Sequence, residues 1–138
     1  MAVLVDTGPL VAILRGADQY HDLCVRTLTE LREPLLSCWP VITEAAWLLR
    51  RHPRAVEKLL LGSAGSFLEV AEVSGAEAVP IVEIMTRYAG LRPQLADATL
   101  VYLAGRERID TIFTLDRRDF LVYRSARNRP FRLIPEPG

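Results

Sequence analysis

Short β-rich runs that alternate with longer helical stretches set the tightest limit on how this chain can fold. AVLVD (2–6) is apolar on both sides, as expected of a strand buried on both faces. LLSCW (35–39) and TIFTLD (111–116) read as further strands, and FRLIPEPG (131–138) as a closing one. FLEVAEVS (67–74) alternates apolar with acidic residues, the period-2 pattern of a strand nearer a sheet edge. Between these runs lie the helices. The first runs from Thr7 to Arg15, with Pro9 suited to the first turn and Asp6 or Thr7 as its cap. The second covers 19–32, with Leu23, Leu28 and Leu31 near one side, and Pro34 stops it. PVITEAAWLLRR (40–51) is apolar nearly all round. His52-Pro53 breaks the pattern, RAVEKLLLG (54–62) resumes it, and GSAGS (62–66) reads as a loop. Two more helices follow, over 75–90 and over 91–109 with Pro93 near its start. Strand and helix in alternation give an α/β fold with a mostly parallel sheet. In such sheets ligands sit beyond the carboxyl ends of the strands.

The 138 residues are expected to form one domain, long enough to bury a core without staples. No apolar run reaches the roughly 18 residues a membrane span needs. MAVLVD has no basic segment ahead of its apolar stretch, so secretion is not expected. Cys24 and Cys38 stand outside any CxxC pattern and read as buried thiols in a reducing cytosol. The net charge is zero, which argues against indiscriminate coating of nucleic acid. The charge is uneven, however. Residues 57–83 hold one cation and five acids, whereas residues 106–132 hold eight arginines and four acids. That basic third either faces phosphates or is the solvated surface of an arginine-rich chain.

Four acids lack a local partner. Asp6 and Asp116 end strands. Glu44 and Asp97 sit in apolar helices with no cation three or four residues away. A buried, unpaired carboxylate costs several kcal/mol and needs a partner from elsewhere. Taken singly, Glu44 and Asp97 read equally well as helix-start acids favoured by the dipole. Taken together, the four converge, because a parallel α/β topology brings strand ends and helix starts to one face. Carboxylates gathered there repel unless a cation sits among them, and hard oxygen donors suit Mg²⁺ or Mn²⁺. His21 and His52 lack zinc-ligand spacing and read as ordinary surface histidines. No Ser-His-Asp set is evident. Asp6-Thr7-Gly8 on its own is also the signature of an aspartic protease half-site, but that enzyme needs an all-β frame and a second such half. The Asp-x-Asp pair of haloacid-dehalogenase-type phosphatases is missing, because residue 8 is glycine.

The chain resembles the PIN-domain ribonucleases, specifically the VapC-type toxins of VapBC toxin–antitoxin pairs. The resemblance rests on VLVDTGPLVAIL, PVITEAAWLL, LRPQLADATLVYLA and IFTLDRRDF followed by FRLIP, in that order, and covers nearly the whole chain. It implies a three-layer α/β/α sandwich, one PIN domain over 1–138. It makes Asp6, Glu44, Asp97 and Asp116 the acidic quartet. Asp6, Asp97 and Asp116 are then the main ligands of Mg²⁺ or Mn²⁺, and Glu44 is a ligand or the group that orients the attacking water. Thr7 and Thr114 hold waters or carboxylates around them. Asp119 matches an acid near the end of the last motif, and is read as a helix cap. Arg117, Arg118 and Arg124 are candidates for RNA-backbone contact. The implied activity is endonucleolytic cleavage of RNA in the cytoplasm, away from membranes. A homodimer and a small antitoxin partner are implied as well. Two alternatives stand beside it: a stand-alone PIN nuclease in RNA processing, and a catalytically silent PIN-fold module that captures an antitoxin and DNA.

Overall fold

The computed structural model describes residues 1–137. Five short strands form one sheet: β1 (Val3–Val5), β2 (Leu35–Ser37), β3 (Leu68–Val70), β4 (Thr111–Phe113) and β5 (Arg132–Ile134). Their order is β3-β2-β1-β4-β5, and every strand pairing is parallel. β1 is central, with Leu4 opposite Leu36 on one side and Ile112 on the other. Val3, Leu4 and Val5 are all buried, which is why this run is apolar without alternation. The alternating run forms an edge strand as expected, but only Leu68–Val70 pairs as β3.

The helices are α1 (Thr7–Leu14), α2 (His21–Glu30), α3 (Trp39–Leu48), α4 (Pro53–Leu61), α5 (Ala78–Arg87), α6 (Leu95–Glu107) and α7 (Arg117–Phe120). From β1 to β3 the chain steps in one direction across the sheet. It then crosses back to β4 on the far side of β1. Right-handed crossovers put the helices of these two legs on opposite faces, which gives the three layers. α1 packs against α2, α3 and α4, and α5 packs against α6. α3 also touches α6, so the helices that carry Glu44 and Asp97 meet.

Several boundaries differ from the sequence reading. Trp39, not Pro40, opens α3, and Pro40 fills its second position. α3 is not buried all round, because Trp47 is exposed beneath the Arg50 guanidinium, 4.0 Å from its ring centroid. GSAGS is no free loop. It continues α4 as a wide turn that ends at Gly65, whose φ of 113° suits glycine. The 75–90 stretch splits into a 3₁₀ turn at Gly75–Glu77, boxed by Ser74 and Glu77, and α5. The 91–109 stretch becomes helical only at Leu95, because Arg92 turns left-handed at φ 51° and Pro93 follows it. The short helix that the Asp119 cap implied does form, over Arg117–Phe120, ahead of where that cap would start it.

Cys24 and Cys38 are both buried and unpaired, as their spacing suggested. His21 is more than a surface residue: its Nδ1 lies 2.7 Å from the Ala12 carbonyl oxygen and ties α2 to α1. No helix among the described residues is long and apolar enough to cross a membrane.

Candidate active site

The strand order reverses direction between β1 and β4. The crevice beyond the carboxyl ends of two such strands is where parallel α/β sheets bind ligands. Asp6 is the first residue after β1, and its backbone N–H still donates to the Phe113 carbonyl of β4 at 2.9 Å. Thr114 is the first residue after β4, and its N–H donates to Ile134 of β5 at 3.0 Å. The sheet therefore fixes both residues at the floor of the crevice.

Two threonines organise the carboxylates. The Thr7 N–H donates to Asp6 Oδ1 at 2.8 Å, which makes Asp6 the N-cap of α1. The Thr7 hydroxyl donates to Glu44 Oε1 at 2.6 Å and so draws α3 onto α1. From the other side, the buried Thr114 hydroxyl donates to Asp6 Oδ2 at 2.8 Å and accepts the Asp116 N–H at 2.9 Å. Asp116 Oδ1 accepts the Asp119 N–H at 3.3 Å and caps α7. Asp119 is therefore not the cap; it occupies the first turn of the helix that Asp116 caps. Thr114→Val would strip both Asp6 Oδ2 and the Asp116 N–H of a buried partner. The expected loss is about 1–3 kcal/mol of stability, read by denaturant unfolding at pH 7.

Asp6 is only 7% exposed, and burial lifts its carboxyl to about 6. The hydrogen bonds from Thr7 and Thr114 oppose that rise, while the charges of Glu44 and Asp116 add to it. Asp97, in the first turn of α6, is lifted further, to about 7. Burial is again the largest cause, followed by the charge of Asp6, with Asp116 and Glu44 contributing; a bond from the Gln94 backbone pulls the other way. All four predicted acids therefore share one electrostatic neighbourhood. None of the ion pairs among the described residues includes any of them; those pairs join Arg106 to Glu77 and Glu107, and Arg132 to Glu136. Asp6, Glu44 and Asp116 accept from uncharged donors instead. No three His, Cys, Asp or Glu side chains among the described residues close into a ready-made metal cage. What the set offers a hard divalent cation is its chemistry: oxygen donors only, none of them held in an ion pair among the described residues.

The predicted arginines fare less evenly. Arg117 donates to the Pro135 carbonyl at 3.2 Å. Arg124 turns its Nη1 onto the carbonyls of Leu121, Val122 and Tyr123, closing the turn after α7. Its guanidinium serves that turn first, contrary to the expectation of a free RNA contact. Arg118 is exposed. A groove lined by Arg15, His52, Arg54 and Lys58, with no acid among its lining residues, went unnoticed in the sequence because α1 and α4 contribute to it from distant positions. Tyr123 was missed too. It is fully buried, and its hydroxyl feels Asp97, Asp119, Asp116 and Asp6. Nothing in VYR marks it in the sequence.

A groove of about 830 Å³ opens at the opposite pole, among residues such as Ala2, Asp110 and Thr111 at the amino ends of the strands. A parallel sheet places its chemistry at the other pole, so size does not locate this site.

The family model described as PIN domain matches residues 3–125. The chain belongs to the PIN-domain family. This PIN-domain chain is 31% identical over 135 residues to Ribonuclease VapC26 of Mycobacterium tuberculosis (strain ATCC 25618 / H37Rv), a match that spans 96% of this chain and 100% of that protein. The crystal structure of Mycobacterium tuberculosis VapC20, described as a sarcin-ricin-loop-cleaving toxin, superimposes with a TM-score of 0.78. That likeness covers 85% of this chain and 92% of VapC20 at 18% identity, and it speaks to the fold alone. The expected PIN-like three-layer α/β/α architecture holds, with a sheet that is parallel at every strand pairing.

Proposed function

We propose that the chain is a metal-dependent endoribonuclease, the toxin of a VapBC-type pair, acting in the cytoplasm as one PIN unit over 1–138. The observation that carries this is the convergence of Asp6, Glu44, Asp97 and Asp116 at the switch point, with none of them in an ion pair among the described residues. Membership of the PIN family and the likeness to VapC26 support the same reading.

Asp6, Asp97 and Asp116 would hold Mg²⁺ or Mn²⁺. When bound, such an ion supplies Lewis-acid charge to the phosphoryl oxygens and lowers the pKa of a bound water. The protein's own part is placement. Thr7 takes Glu44 Oε1, which leaves Oε2 to orient the attacking water and accept its proton. Thr114 holds Asp6 and the Asp116 backbone in one register, so the carboxylates after β1 and after β4 move together. Arg118, exposed in the first turn of α7 beside Asp116 and Asp119, would be a cation for an RNA phosphate.

Beside the starts of α3 and α6 lies an apolar groove of about 280 Å³, lined by Trp39, Val73, Ile81, Val82, Met85 and Leu95. Trp39 and Leu95 are more than half exposed. Exposed apolar surface of this kind suits a protein partner. The reading therefore includes a small antitoxin and a homodimer.

The test is incubation of the purified chain with a mixed, end-labelled RNA pool in Mg²⁺, Mn²⁺ or EDTA. Discrete cuts are expected with either metal and none with EDTA. Cutting that persists in EDTA would overturn the metal-dependent reading. A chain that cuts nothing yet captures an antitoxin would be the silent binding module.

A further inference from the structure

Residues 50–58, RRHPRAVEK, hold four permanent cations against one acid. Two of those cations are poorly placed for α4 itself. Arg54 stands in its first turn, where the helix dipole disfavours positive charge, and that turn holds no acid to offset it. Lys58 follows four residues on, so the two share a face and repel. The fold then adds a third. The eight residues of α1 carry the chain about 12 Å from Asp6 along the helix axis, and Arg15 caps the far end. α1 packs against α4 there, and Arg15, His52, Arg54 and Lys58 line one groove of about 330 Å³. All four are exposed, and none of the ion pairs among the described residues includes them. The rest of the lining is uncharged. The nearby acids stay out of it: Glu57 does not line the groove, and Asp18 turns back to accept the Tyr20 N–H at 2.8 Å.

Like charges gathered around an open groove call for a counter-charge, the same argument that applies to the four carboxylates with the sign reversed. The donor set fits phosphate. Two guanidiniums can each take a pair of phosphate oxygens, Lys58 adds a point charge, and the His52 ring adds an N–H donor. Spread over two helices, these cations suit the repeated charges of a phosphodiester strand better than one small anion.

We propose that this groove anchors backbone phosphates of single-stranded RNA that continues past the cut, a second RNA-binding site apart from the four carboxylates. The inference rests on RNA as the substrate in the reading above. It places the attraction for RNA at a distance from the carboxylates, whose own charge repels a phosphate backbone, and it does so in a chain of zero net charge.

The test is fluorescence anisotropy of a labelled, unstructured RNA of about 20 nucleotides, in EDTA so that binding is read without cutting, over a series of salt concentrations. The combined variant Arg15→Gln, Arg54→Gln, Lys58→Gln is expected to bind about 10- to 50-fold more weakly near 150 mM salt, and its plot of log affinity against log salt to be shallower by about 2, as the loss of three phosphate contacts requires. Its melting temperature is expected to stay level or rise, because the Arg54–Lys58 repulsion is gone. Arg26→Gln, Arg32→Gln and Arg87→Gln together remove the same charge from exposed positions outside the groove and are expected to leave the slope nearly unchanged. Should the groove variant fail to fold, Arg54→Gln alone is expected to lower the slope by about 0.7. Unchanged affinity and slope, or equal losses in the two combined variants, would overturn the proposal. So would a groove variant that loses affinity for polyglutamate but keeps it for RNA, which would give the groove to an acidic protein segment. A wild type that binds no RNA would bring down the RNA reading and this inference together, whereas binding through the groove without cutting in Mg²⁺ or Mn²⁺ would sink the nuclease reading alone.

Discussion

Asp97→Asn is expected to lower RNA cleavage by about 10³-fold, roughly 4 kcal/mol of transition-state stabilisation, while making the metal-free protein more stable at pH 7.5. The two effects pull apart because the carboxylate is costly to the fold. Burial and the charge of Asp6 together raise its pKa to about 7, so its ionised form is disfavoured in the folded chain. An amide removes that charge and keeps the shape. Cleavage is read as single-turnover rates on an end-labelled RNA, and stability by denaturant unfolding in EDTA. A variant that lost activity only by losing its fold would show the opposite stability change. Asp6→Asn is expected to lose cleavage similarly but to gain less stability. Asp6 accepts from both Thr7 N–H and Thr114 Oγ1, and an amide nitrogen would face one of those donors.

The second large effect is on pH. Asp6 and Asp97 have folded-state pKa values of about 6 and about 7, against about 4 for an aspartate in an unfolded chain. Between those limits the folded chain binds more protons than the unfolded one, so stability falls as pH rises through the window. Metal-free protein is therefore expected to be most stable near pH 4–5. It is expected to lose on the order of 3–5 kcal/mol by pH 7.5. Below the window Glu77 acts in the opposite sense. Backbone and side-chain bonds from Ser74, Tyr102 and Arg106 hold it near 2, so its contribution is lost as pH falls further. A divalent cation at pH 7.5 should restore what ionisation removes, because it binds the folded, ionised form. The measurement is a series of melting temperatures from pH 4 to 8, in EDTA and in Mn²⁺. Curves that rise with pH in EDTA would show that Asp6 and Asp97 are not held in the raised range.

The site was legible in the sequence because its defining property is a local absence. Glu44 and Asp97 have no cation within a helical turn, and Asp6 and Asp116 follow strand-like runs; a parallel topology brings all four to one pole. The hydroxyl links were less legible. Thr114 and Asp6 are 108 positions apart, and only the β1–β4 pairing makes them neighbours. Capping at the last motif went the wrong way, because Asp116 and Asp119 are both well placed in sequence to cap a short helix. The choice was made by the position of Thr114, whose hydroxyl takes the Asp116 N–H and sets where α7 begins. Arg124 looked available for RNA because nothing in its neighbours predicts a guanidinium turned back onto three carbonyls. Element boundaries slipped where a single residue's backbone decided them, as at Arg92.

The most direct test of the central claim, that these four carboxylates form one divalent-cation site, is calorimetric titration of the chain with Mn²⁺ at pH 6.5 in two buffers of different ionisation heat. The account predicts saturable binding with release of protons, because Asp6 and Asp97 are partly protonated there and must ionise to bind. It also predicts that Asp97→Asn removes both most of the affinity and most of the proton release. Binding without proton release, or binding that Asp97→Asn leaves intact, would place the cation elsewhere and contradict it.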